Sequence, residues 1–108
     1  MIERHWKGIT KLQNCDEYLQ HLVDETFPNL STIDGFKGSS ILKRTTESGI
    51  EFLVITEWES MEAIKKFAGE NPELAVVPPK VQNMMITFDR TVDHYTVVRN
   101  YDPQQNSR

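Results

Sequence analysis

Residues 52–69 read FLVITEWESMEAIKKFAG, a strand that runs directly into a capped helix, and the fold is decided in this stretch. Phe52, Val54, Thr56 and Trp58 alternate with Leu53, Ile55 and Glu57, so the first set enters one sheet face while Leu53 and Ile55 keep the other face apolar. A strand that is apolar on both faces requires cover on both sides. Ser60 is an N-cap residue, Glu62 sits in the first turn where the helix dipole favours an anion, and Gly69 is a stop. Met61, Ile64, Phe67 and Ala68 share one helical stripe that packs back onto the sheet.

Upstream, residues 2–10 read as a first strand, with Trp6 and Ile9 as its main apolar contributions. Asn14 followed by Glu17 is an Asn version of the capping box, and Leu19, Leu22, Val23 and Phe27, with Cys15, form an amphipathic stripe. Pro28 ends or bends that helix. Asp34-Gly35 marks a turn into a second strand over 36–45, whose polar, Gly-containing sequence suits an edge or a ligand-facing position. Glu47-Ser48-Gly49 is a hairpin signal, with Gly49 as the source of a positive φ.

Downstream of Gly69, residues 71–79 are irregular and carry Pro72, Pro78 and Pro79. Pro79 suits the first turn of a short helix reaching Val81, Met84 and Met85. A last strand is expected over 91–101, with His94, Thr96 and Val98 facing one way and Tyr95, Val97 and Arg99 the other. Residues 102–108 have nothing to bury and are expected to be a disordered tail, which leaves one domain over 1–101.

The order is β-α-β-β-α-β, the α+β ferredoxin-like arrangement of an antiparallel sheet with both helices on one face. Leu53, Ile55, Tyr95 and Val97 populate the opposite face, which would be an aggregation hazard if left wet. A second copy of the sheet is the simplest cover, so the chain is expected to be a homodimer joined through its sheet faces.

Composition narrows the function classes. The formal net charge of −4 opposes a nucleic-acid surface, which needs clustered Lys and Arg, and an RNA-binding sheet would also need exposed aromatics on its central strands. The opening MIERHWKG has no apolar segment of a secretory signal, and no apolar run approaches the length of a membrane span. Cys15 is the only cysteine, which excludes an intrachain disulfide and a multi-cysteine metal site and points to the cytoplasm. At a helix start its thiol is either activated by the dipole or, the favoured reading, an inert small side chain.

Among titratable groups, His94 near the start of a strand can point between sheet and helices and take a proton near neutrality. The plainer alternative is a histidine that fixes the strand end by hydrogen bonding. His5 adjoins Trp6, and neighbouring strand residues face opposite ways, so the two cannot line one pocket. His21 falls on the polar side of the first helix and is expected to be solvated, and no pair of histidines has metal-ligand spacing. Trp58, Trp6, Phe52, Phe67 and Phe36 can wall a pocket for a flat ligand or simply fill the core. Arg4 and Tyr95 can hold a ligand anion or pair with neighbouring strands.

Several of these residues form a recognisable set: Ile2, Arg4, Trp6 and Gly8 as I-x-R-x-W-x-G, then Trp58-Glu59-Ser60, Ala63-Ile64, Phe67-Ala68-Gly69, Ala75-Val76 before Pro78, and His94-Tyr95-x-Val97. With these motifs, spread from Met1 to about Val98, the chain resembles the antibiotic biosynthesis monooxygenase family of the dimeric α+β barrel superfamily, in a small uncharacterised bacterial branch. The resemblance implies a cofactor-independent monooxygenase acting with O₂ on a small aromatic or enolisable substrate. His94 or His5 would be its base, and Trp58, Trp6, Arg4, Tyr95 and Phe67 its substrate-binding residues. The alternative is a dimeric module that binds a small hydrophobic or aromatic ligand, or serves a stress response, without turnover. Haem-degrading relatives use a first-strand Asn, a second-helix Trp and a proximal His in the segment that follows. Here the helix position is Phe67 and no histidine lies between Phe67 and Asp93, so haem degradation ranks below both.

Overall fold

The computed structural model describes residues 1–104. Its sheet is built on β1 (Ile2–Thr10) and β3 (Ile50–Trp58), paired antiparallel from Ile2 against Trp58 to Thr10 against Ile50. β2 (Phe36–Thr45) lies beyond β3. The far edge of β1 is shared by two short strands. β4 (Met85–Phe88) pairs with residues 8–10 and β5 (Asp93–Thr96) with residues 2–5. Helices α1 (Cys15–His21), α2 (Phe27–Leu30), α3 (Met61–Ala68) and α4 (Pro79–Gln82) complete a ferredoxin-like α+β fold in which the fourth-strand slot is divided.

The alternation in β3 decides the layers. Phe52 and Trp58 lose all exposed surface and Val54 and Thr56 are buried, while Leu53, Ile55 and Glu57 are half-buried on the open face. The core has two parts. Tyr18, Leu22, Val81, Met84 and Met85 gather around Phe52 and Val54, and Leu30, Ala63 and Ile64 gather around Trp58. Ser60 caps α3 by accepting from the Ala63 amide at 3.2 Å, and Gly69 ends it at φ 87°, which only glycine adopts without strain.

Other expectations are corrected. Asn14 caps nothing, because its amide donates to Glu17 Oε1 at 2.8 Å and a 3₁₀ turn (Leu12–Asn14) precedes α1. The buried stripe of the first helix runs through Cys15, Tyr18 and Leu22, while Val23 is exposed. Between α1 and α2 the helix widens into a π turn (Leu22–Thr26), in which the Phe27 amide bonds to Leu22 O. The wide turn lets the helix continue through Pro28, whose ring would collide with the Asp24 carbonyl in a regular α-helix.

Gly49 has no positive φ; its value is lateral space, since a Cβ there would sit 2.3 Å from Thr10 O. Met85 belongs to β4 and not to the helix, which stops at Gln82, because Met85 pairs with Thr10. The last strand is shorter than expected. It spans four residues paired with residues 2–5, and the Val97 amide then bonds to Met1 O at 2.9 Å. Of the expected tail, residues 105–108 lie outside the described residues, and Gln104 N donates to Asp102 Oδ1 at 3.0 Å.

Candidate functional site

Alternation along β1 turns Ile2, Arg4, Trp6 and Gly8 toward the helix layer. Each of the last three has a definable task. A Cβ on Gly8 would lie 2.6 Å from Trp6 Cη2, so glycine leaves room for the indole, whose Nε1 donates to Asp89 O at 2.7 Å. Arg4 is 4% exposed and ties the 72–74 segment to the sheet: Nη1 donates to Pro72 O and Nη2 donates to Leu74 O at 3.0 Å. Its guanidinium stands 5.6 Å above the Phe67 ring. Burial lowers the Arg4 pKa to about 10, because the charged form has lost water.

Arg4 Nη1 also lies 3.0 Å from His94 Nε2. Guanidinium only donates, so the Nε2 lone pair accepts and the imidazole is neutral with its proton on Nδ1. Burial first, and the Arg4 charge second, lower the His94 pKa.

Above this floor lies a cavity of about 370 Å³ between sheet and helices. Arg4, Trp6, Val54 and Thr56 form the sheet side, Tyr18, Leu22 and Phe27 the helical side, and Val77, Pro78 and Val81 the third wall, with Phe67 at one end. Two hydroxyls matter inside it. Tyr18 is 2% exposed, meets Phe52 edge-on at 4.9 Å and makes no hydrogen bond through its phenol among the described residues. Burial raises its pKa far above the ordinary phenol value, so it remains a neutral donor. Thr56 Oγ1 accepts from Trp58 Nε1 at 2.8 Å and keeps its own proton to donate.

Charged groups sit at the rim. Lys80 Nζ reaches Glu25 Oε2 at 2.8 Å, joining α4 to the π turn, and this hydrogen bond holds the Glu25 carboxyl below its ordinary pKa. His21 Nδ1 is 3.3 Å from the same oxygen, within ion-pair range but too poorly aligned for a hydrogen bond. The expectation that His21 is solvated is therefore corrected: its side chain is only 10% exposed and lines the cavity.

The sequence-derived site residues separate into three places. Arg4, Trp6 and Phe67 share the cavity. Trp58 lies behind it in the core, stacked on Phe67 with centroids 6.0 Å apart, and His94 stands behind Arg4. His5 and Tyr95 are on the open sheet face, with rings 4.8 Å apart and His5 Nε2 2.9 Å from Glu3 Oε1. Sequence reasoning missed Tyr18, Thr56, Glu25 and Lys80 as cavity residues. Tyr18 was legible, three residues after Cys15 and four before Leu22 on one stripe; the Glu25–Lys80 contact, 55 residues apart, left no local signal. Among the described residues no cluster of His, Cys, Asp and Glu could hold a metal ion, and no helix is long and apolar enough to cross a membrane.

No family model matches the chain, and no curated protein sequence does. Solved structures do match. A candidate antibiotic biosynthesis monooxygenase from Bacillus cereus superposes with a TM-score of 0.64 at 20% identity, covering 94% of each chain. MhuD, a haem degrader from Mycobacterium tuberculosis with two haems in its active site, gives 0.60 at 16% identity, covering 94% of this chain and 100% of that one. A dimeric ferredoxin-like protein from an uncultured marine organism gives 0.57 at 17% identity, covering 94% and 97%.

The segment expected to supply an axial histidine to haem carries none and lines this cavity with Val76, Val77, Pro78, Lys80 and Val81, so that route of ligation has no counterpart here. At these identities the likeness is one of architecture: the chain has a ferredoxin-like α+β fold, shared with these solved structures.

Proposed function

We propose that this protein is a cofactor-independent monooxygenase acting with O₂ on a small aromatic or enolisable molecule held in the cavity. The observation that carries the reading is the cavity itself. It has about 370 Å³ of mostly apolar space with Trp6 and Phe67 as flat walls and the unpartnered Tyr18 phenol inside. Ligand pockets of roughly 300–1,000 Å³ with few polar groups are the usual form of small-molecule sites. The monooxygenase and haem-degrader neighbours share the overall fold that encloses the cavity.

The chemistry needs an acidic O–H or C–H on the substrate. A base takes that proton, the anion passes one electron to O₂, and substrate radical and superoxide join in a C–O bond. Cleavage of the O–O bond then leaves a carbonyl on the ring and releases water. The substrate supplies every electron, so a phenol plus O₂ becomes a quinone plus water. The walls contribute orientation and exclusion of bulk water. We assign the base to His21. His94 has its Nε2 lone pair engaged by Arg4, and His5 faces away from the cavity.

We further propose a cytoplasmic homodimer joined through the open sheet faces, where Leu42, Leu53, Ile55, Ile86 and Tyr95 stand together. One of the fold neighbours is itself described as dimeric. The test is O₂ uptake by the purified protein with a panel of polycyclic phenols. Uptake should occur and should fall about 10²–10⁴-fold in His21→Ala, the usual contribution of a positioned base. No uptake with any member of the panel removes this reading and leaves the second, a dimer that binds a small ligand without turnover. The engagement of His94 by Arg4 favours that second reading, since it removes from duty the imidazole the sequence singles out.

A further inference from the structure

Arg4 is a buried cation without a counter-ion. Among the described residues no carboxylate lies within ion-pair distance of it, and its partners are two backbone carbonyls and a neutral imidazole. A buried charge usually persists because something pairs with it. Guanidinium carries five N–H donors, and the contacts to Pro72, Leu74 and His94 use three of them. One donor on Nε and one on Nη2 make no protein hydrogen bond among the described residues, and Arg4 lines the cavity.

Thr56 sits beside this unspent capacity. Arg4 and Thr56 are direct antiparallel partners on the helix-facing side of β1 and β3, which places their Cβ atoms about 4.5–5.5 Å apart. Both residues are more than nine-tenths buried and both line the cavity. The Thr56 oxygen already accepts from Trp58, so the hydroxyl proton is directed elsewhere. Phe67 provides a flat apolar surface next to the guanidinium. A cation, a hydroxyl donor and an aromatic face are thus brought together by the register of two strands and one helix.

We propose that Arg4 and Thr56 form an oxyanion seat in the cavity wall, and that its ligand is a small planar molecule bound as an enolate, phenolate or carboxylate. This rests on the reading of the cavity as a substrate site and specifies the form in which the substrate is held. The anion completes the hydrogen bonding of Arg4 and supplies its missing counter-charge. A neutral planar molecule of the same shape fills the apolar volume but leaves the guanidinium uncompensated.

The test is equilibrium binding, followed by tryptophan fluorescence or titration calorimetry, of two probes at neutral pH. One is a hydroxynaphthoquinone, which is an anion there; the other is its methyl ether, which is neutral. The full-length protein should bind the anion about tenfold or more tightly than the ether, the scale expected of a hydrogen bond to a charged group. Arg4→Gln should abolish that preference, so that the anion binds no more tightly than the ether. Thr56→Val should reduce it and Thr56→Ser should retain it. Equal affinity for the two probes in the unaltered protein, binding of neither, or a preference that survives in Arg4→Gln overturns the seat. Should Arg4→Gln fail to fold, the probe ratio of the unaltered protein and the Thr56 pair decide the matter. An anion preference without O₂ uptake from any phenol leaves the seat standing and removes the oxygenase reading. Uptake without an anion preference does the reverse.

Discussion

The two faces of β1 carry the same strand to opposite outcomes. Toward the helices, Arg4, Trp6 and Gly8 interlock: the arginine binds the 72–74 segment, the indole lies over the glycine, and little surface remains. Toward the open side, Glu3, His5 and Lys7 alternate with apolar neighbours and keep partial exposure. On the covered face Arg4 and Trp6 donate to backbone carbonyls within the chain, while Tyr18 and part of the Arg4 guanidinium are left beside an apolar cavity. On the open face polar groups are satisfied by each other, as in His5 with Glu3 and Arg44 with Glu51, while Leu53 and Ile55 between them are left for another surface. The contrast teaches that one face is covered by the chain's own helices, while the other is the face on which the proposed dimer rests.

The strongest way to break the comparison is to empty the covered face. Trp58→Ala removes a side chain with no exposed surface and should cost about 3–5 kcal/mol, read from urea unfolding. A cost below 1 kcal/mol would mean the helix layer is not the main core. Next comes the open face. Ile55→Glu should convert a dimer to protomers in sedimentation, yet change protomer stability by only about 0.5 kcal/mol, as exposed substitutions do. An unchanged dimer would assign the interface elsewhere.

A smaller effect sharpens the Arg4 cluster. The folded-state pKa of His94 is lowered, by burial and then by Arg4, so the unfolded chain takes up the proton first as pH falls past ~6.5. Stability should therefore rise with pH through that window and drop on acidification, as His94 is forced to charge against Arg4. His94→Gln offers Arg4 an acceptor that does not titrate, so its melting temperature should fall less between neutral and mildly acid pH. An identical pH profile would remove His94 from the account. The smallest effect belongs to the rim. Lys80→Ala breaks an exposed ion pair with Glu25 and should leave the melting temperature unchanged, because solvent screens such pairs.

Much of this was legible from residue order. The alternation of β3, the Ser60 cap, the Gly69 stop and the bounds of β1 and β2 all follow from local chemistry acting over a few residues. The errors fall where a distant partner overrode local preference. Met85 became a strand residue because Thr10 was there to pair with it, and β5 pairs only with residues 2–5 of β1. His21 looked solvated on a regular helix, but the helix layer brought it to the cavity wall beside Glu25.

The amino-acid order by itself determined the layers and the motif on β1, since periodicity and capping need no knowledge of what lies across the molecule. Only the tertiary structure decided the site. Arg4 meets residues 68, 70 and 90 positions away in Pro72, Leu74 and His94, and no local rule links those positions. What makes the cavity chemically specific is therefore a set of contacts closed by folding, in which a guanidinium is buried with donors to spare.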